Sequence, residues 1–239
     1  MVAKSDLKYI RSLRQKKFRQ MNGMFIAEGV KLVQELLYAG MQPQYLFALE
    51  NHGFPGATAV SESELKQLST LVQPNKVLGV FPIPKSQTIQ YGDWVLALDG
   101  VRDPGNLGTL IRLCDWFGIE HLLCSPDTVD AYNPKVLQAT MGSISRVNIS
   151  YAALGVQLSN CNVPIYGASM EGIPSYSGIL KAPGVLVMGN EAHGLSPEIR
   201  SMIHNTVAIP AFGGAESLNV ASASAILLYE IRRSAIIQK

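Results

Sequence analysis

The chain has 239 residues, 47% of them apolar and only 16% charged. That composition excludes a disordered or supercharged protein and leaves room for one large domain or two modest ones, each with its own core. A formal net charge of +2 is too small to argue for a polyanionic partner, so the distribution of charge has to be read along the chain.

From Met1 to Gln20 there are seven Lys or Arg against one acid, Asp6. Lys16, Lys17 and Arg19 close this run and are the candidate phosphate contacts. A run of this kind either steers a nucleic acid or forms a solvated helix face, and the local residues do not choose. In the segment Phe25 to Gly40, Val30, Val33, Leu36 and Leu37 recur at helical spacing, with Gly40 as C-cap. Tyr45 to Leu49 reads as a short strand, Ser61 with Glu64 as a capping box opening a helix, and Val77 to Phe81 as another strand. The proline-bearing stretch Pro82 to Asp93 reads as a linker.

Beyond it, Trp94 to Leu98 is an apolar strand, followed by a loop and a helix from about Leu107 to Phe117. His121 to Cys124 is a strand, Pro134 to Met141 a helix and Arg146 to Ile149 a short strand. Further strands are predicted at Val163 to Ala168, Val185 to Met188 and Val207 to Ile209, with a last helix from about Leu218 to Arg233. Buried strands alternating with helices define an α/β domain with a mostly parallel sheet, preceded by a smaller α/β unit. The expected domains are residues 1–85 and 93–239.

Cys114, Cys124 and Cys161 are odd in number and lack CxxC spacing, which leaves neither a disulfide framework nor a zinc signature and assigns them to core packing. His52, His121, His193 and His204 form no metal-ligand pattern. The first residues do not resemble a signal peptide and no apolar stretch is long enough for a bilayer, so a cytoplasmic protein is expected.

Three predicted strands end in glycine-rich loops: Leu98 to Arg112, Val187 to Ser196, and Ile209 to Ala221. Ligands of open α/β sheets bind at carboxyl ends of strands, and glycine lets backbone amides approach them. P-loop, dinucleotide and nucleophile-elbow patterns are all missing from these loops.

At these loops the chain resembles the SpoU/TrmH family of RNA ribose 2'-O-methyltransferases, within the SPOUT superfamily. The carriers are Asn106 followed six residues later by Arg112; Gly189 and Glu191 followed by Gly194, Leu195 and Ser196; and Ile209 and Pro210 followed by Ser217, Leu218, Asn219 and Val220. The N-terminal runs R-Q-K-K-F-R-Q and F-I-A-E-G-V-K-L-V resemble this family's RNA substrate-binding domain. The resemblance implies a knotted C-terminal methyltransferase domain that uses S-adenosylmethionine, and a homodimer whose active site takes residues from both chains. It implies that Arg112 activates the 2'-hydroxyl, that Ser217 and Asn219 place it, and that Glu191 and Asn106 organise loop or substrate. It further implies cofactor contacts from Gly189, Asn190, Gly194, Ile209, Ala211 and Leu218. Ribosomal RNA is favoured as substrate, with transfer RNA, a base or small-molecule substrate, or a catalytically silent RNA-binding homologue as alternatives. Without the resemblance, Ser217 reads as an N-cap and Arg112 as a surface arginine.

Overall fold

The computed structural model describes residues 2–237. Its contacts fall into two compact units, Met1–Lys85 with Asp130–Ser145, and Ser86–Val129 with Arg146–Lys239. The first unit opens with helices α1 (Lys4–Ser12) and α2 (Lys16–Asn22), so the basic run is helical. There follow β1 (Met24–Glu28), α3 (Val30–Tyr38), β2 (Tyr45–Leu49), β3 (Thr58–Val60), α4 (Glu62–Leu68) and β4 (Val77–Pro82). β4 pairs antiparallel with β1 on one side and β2 on the other, and β3 adds parallel to β2. Ile10, Leu13, Ile26, Phe47, Leu65 and Leu78 belong to one buried core.

The local signals of this unit act as their chemistry requires. Ser61 and Glu64 satisfy each other's backbone N–H groups at the start of α4. Gly40, at φ 81°, closes the end of α3. The strand Met24–Glu28 lies outside what helical spacing indicates. Its residues are buried on both faces, so no alternation marks it, and only pairing with β4 makes it a strand.

Arg19, expected among the phosphate contacts, lies in the interior. Arg19 is 3% exposed. Its guanidinium donates to Asp130 at 3.0 and 2.5 Å and to the carbonyls of Leu13 and Arg14 at 2.9 and 2.8 Å. The charge therefore ties α2 to the 130–145 segment and does not face a polyanion, whereas Lys16 and Lys17 are exposed. Removing one member of a buried pair strands the other charge. Arg19→Ala should cost about 3 kcal/mol or more in denaturant unfolding of the whole protein. A loss below about 1 kcal/mol, the value of a surface pair, would show that this contact does not hold the unit together.

The second unit begins with β5 (Trp94–Asp99), α5 (Pro104–Phe117) and β6 (His121–Cys124). The chain then joins the first unit. Tyr132 lies 4.8 Å from Phe25 between ring centroids, and α6 (Pro134–Thr140) brings Gln138 to donate to the Glu28 carbonyl at 2.7 Å. The segment Asp130–Ser145 thus groups with the first unit by its contacts. The second unit resumes with β7 (Asn148–Tyr151), α7 (Leu154–Ser159), β8 (Ile165–Ser169), β9 (Ile173–Pro174), β10 (Gly184–Gly189), α8 (Pro197–Arg200), β11 (Asn205–Ala208) and α9 (Val220–Ile237).

Its seven strands run in the order β7-β6-β5-β10-β8-β11-β9, with every pairing parallel. Val95, Ala97, Leu123, Ile165, Val185 and Val187 are buried in its core. The residues of the two central strands are buried along nearly their whole length, which explains their unbroken apolar runs. Helix α5 starts three residues earlier than the apolar pattern indicates. Asp103 caps it by accepting the Asn106 N–H at 2.8 Å, and Pro104 occupies the first turn, where no N–H is needed. No helix or strand lies between Pro82 and Trp94 among the described residues. There the Asn148 amide holds both backbone groups of Gln87, at 2.9 and 3.1 Å.

Cys114 and Cys124 are buried, which pushes both thiols well above their ordinary range, and Cys161 is half-buried. Among the described residues no helix is long and apolar enough to cross a membrane.

Candidate active site

The site forms at the carboxyl ends of the parallel strands. Asp99 and Gly189 are partners in the β5–β10 register, so the first two glycine-rich loops leave the sheet side by side. Gly189 has to be glycine: a Cβ there would lie 2.2 Å from the Gly194 carbonyl carbon. The Asn190 and Gly194 backbones bond to each other in both directions at 2.9 Å, with Gly194 at φ 66°. The Asn190 side chain donates to the Gly100 carbonyl at 2.6 Å and accepts from the N–H groups of Ala192 and His193 at 2.9 and 3.2 Å. Asn190 and Gly194 therefore shape the loop itself. Asp99 anchors the loop's far end by accepting the Ser196 N–H at 2.7 Å.

Asn106 joins the three loops. Its Nδ2 donates to Glu191 at 2.9 Å, and its Oδ1 accepts from Asn219 Nδ2, also at 2.9 Å. Glu191 receives two further bonds, from the backbone N–H groups of Arg102 and Asp103, each at 3.4 Å. The carboxylate thus sits over the N-terminal turn of α5, where the helix dipole favours an anion. Asn219 Oδ1 accepts from Ala221 and Ser222 N–H at 2.9 and 3.3 Å and so caps α9. That cap corrects the expectation that Ser217 occupies this position. The helix begins two residues later than the sequence pattern indicates, and asparagine serves as well as serine at an N-cap.

Arg112 and Ser217, by contrast, are not joined to this set. Both are exposed, and among the described residues neither side chain makes a hydrogen bond or ion pair with another residue. Arg112 keeps its place on α5, two helical turns beyond the cap. Residues 209–218 also stand apart: among the described residues no hydrogen bond engages their backbone. Leu218 is half exposed in that loop. The loop therefore offers free donors, free acceptors and apolar surface in one place.

Two supporting residues, Asp103 and Asp127, lie outside the motifs. Asp103 could have been found from the D-P step at a helix start. Asp127 could not. It accepts from the Ser125 hydroxyl at 2.6 Å and from Arg102 at 3.4 Å. Those partners, the hydroxyl first, hold its carboxyl below the usual range against a smaller opposing effect of burial.

Comparison with known proteins defines the class. Residues 93–229 match the SpoU rRNA Methylase family, and residues 4–79 match the MRM3-like substrate binding domain. The chain belongs to the SpoU rRNA methylase family. It is 29% identical over 233 residues to the 23S rRNA (guanosine(2553)-2'-O)-methyltransferase RlmP of Bacillus subtilis, covering 93% of this chain and 94% of that protein. A solved TrmH-family RNA methyltransferase structure from Porphyromonas gingivalis superposes with a TM-score of 0.90 at 36% identity, over 98% of this chain and 99% of that one. An AdoMet-bound rRNA methyltransferase from Sinorhizobium meliloti gives a TM-score of 0.86 at 32% identity, over 98% and 96%.

Proposed function

We propose that this protein transfers a methyl group from S-adenosylmethionine to a ribose 2'-hydroxyl of ribosomal RNA. The observation that carries the reading is the Glu191–Asn106–Asn219 chain of hydrogen bonds at the strand ends, in a member of the SpoU family. The free backbone of residues 209–218 beside an apolar side chain suits a ligand with a heteroaromatic ring and an amino-acid tail. Gly189, Ile209, Ala211 and Leu218 would hold it through backbone groups, with Asn190 and Gly194 keeping the neighbouring loop in shape. When bound, S-adenosylmethionine supplies a methyl group on a positively charged sulfur.

The chain's own task is to make the hydroxyl a nucleophile. If its pKa lies about five units above the working pH, full deprotonation costs roughly 7 kcal/mol. Alignment of the reacting atoms can offset about 7–11 kcal/mol. Arg112, exposed and with its side chain unpaired, would clamp the adjacent phosphate and stabilise the oxyanion as the hydroxyl proton passes to solvent water. A guanidinium keeps its own proton, so this cationic role fits its chemistry better than that of a base. Ser217 would place the hydroxyl, and Asn219 and Glu191 would hold the loops in register.

The working form would be a cytoplasmic homodimer with the family's trefoil knot. Asn219 meets Asn106 at one end of the α5–α9 pair, and Arg232 donates to the Phe117 and Gly118 carbonyls at the other. The two helices therefore lie side by side. They expose Trp116, Ile226 and Tyr229, an apolar face that a second copy would cover. Arg112 is one helical turn from Trp116, so that copy would also reach the reacting centre.

The experiment is transfer of labelled methyl from S-adenosylmethionine to ribosomal and transfer RNA, with the modified atom mapped. Label in transfer RNA alone, or on a base, would overturn the proposal. The N-terminal unit would hold the RNA through Lys16 and Lys17. Changing both to Ala should flatten the slope of log affinity against log salt by about one to two while cofactor affinity stays the same. An unchanged slope would make these lysines a solvated face.

A further inference from the structure

We infer that Phe212 and Tyr176 form a stacking platform for nucleobases of the RNA beside the methylated ribose. The inference rests on the RNA reading proposed above. Phe212 is 99% exposed, and Tyr176 is 63% exposed. A phenyl ring left wholly in water contributes no burial to the fold. Scattered single apolar residues are ordinary on surfaces, so one such ring would carry little weight. The register between neighbouring strands supplies the second observation.

β9 and β11 run parallel, with Pro174 opposite Ala208. Tyr176 follows two residues after Pro174, in a 3-10 turn, and Phe212 four residues after Ala208. The two aromatics therefore emerge on adjacent loops at the same edge of the sheet. That edge belongs to the end at which the Asp99 and Gly189 loops also leave. Phe212 shares its loop with Ser217 and Asn219, five and seven residues on.

The loop stands clear of the body. A Cβ on Gly213 or Gly214 would meet nothing within 4 Å. Glu216 on this loop and Glu171 before β9 are both exposed. Two carboxylates disfavour a phosphate here, so the chemistry on offer is the face and edge of a base. Every nucleobase has a π-face, and stacking on exposed aromatics is how proteins hold unpaired RNA.

The test uses the full-length protein and a fluorescein-labelled single-stranded oligoadenylate of about twelve nucleotides, together with an abasic strand of the same length. Phe212→Ala and Tyr176→Ala should each weaken oligoadenylate binding about tenfold, and the abasic strand should bind both variants as it binds the wild type. Phe212→Trp should bind the oligoadenylate as the parent does. Equal binding by parent and alanine variants would overturn the platform. So would an equal loss on the abasic strand, or dissociation of the dimer in sedimentation, which would make the aromatics a contact between copies. Absence of any binding to oligoadenylate by the parent would also overturn it. Methyl transfer to ribosomal RNA on the same preparation then shows whether the RNA reading itself stands.

Discussion

Arg112→Ala should lower single-turnover methyl transfer to RNA by about a hundred- to a thousandfold, the usual loss when a donor to a developing oxyanion is removed. Fold and cofactor affinity should stay close to the parent's, because the Arg112 side chain is exposed and bonds to no other described residue. Arg112→Lys keeps the charge and loses the planar paired donors, so its rate should fall between the two. Single-turnover transfer of labelled methyl is the measurement, with calorimetry of S-adenosylmethionine on the same samples. Near-parental turnover by Arg112→Ala would return the residue to the surface arginine that its helix position alone suggests.

Asn106→Asp should be nearly as damaging, with a pH dependence that identifies the cause. The substitution replaces a donor 2.9 Å from Glu191 with a carboxylate oxygen. Two carboxylates at that distance repel when both are ionised, so the pair holds one proton to a higher pH than either carboxylate would alone. Below that pH the shared proton restores a hydrogen bond and the loops stay joined. Above it, repulsion drives Glu191 away from α5, and misplacement by about 1 Å can cost a hundredfold in rate. The ratio of Asn106→Asp to parent activity should therefore fall as pH rises. Taking the ratio removes the parent's own gain from easier loss of the hydroxyl proton. Asn106→Ala has no proton to share and should show a deficit that does not change with pH. A flat ratio for Asn106→Asp as well would mean that the Glu191 contact does not organise the site.

The contrast between these residues shows what a linear pattern can carry. Strands such as His121–Cys124 were legible because a buried parallel strand is a short unbroken apolar run between turns. The helix after Asp103 was legible from its apolar face, although its first turn was not, because proline and glycine look like loop residues until the missing N–H is seen to be harmless. Met24–Glu28 was hidden for the opposite reason, since burial on both faces leaves no period to detect.

The motif residues Asn106, Glu191 and Asn219 stood out by type and spacing, and so did the alternating α/β order with its separate N-terminal unit. Their association did not. The bonds from Asn106 to Glu191 and from Asn219 to Asn106 span 85 and 113 residues. Arg19 shows the same limit: it reads as one more cation in a basic run, and a partner 111 residues away makes it part of the interior. Residue type and local period follow from neighbours along the chain, so the sequence by itself determined the family's motifs and the class of fold. Burial, ion pairing and the exposure of Phe212 follow from which distant segments meet, and only the tertiary structure decided those.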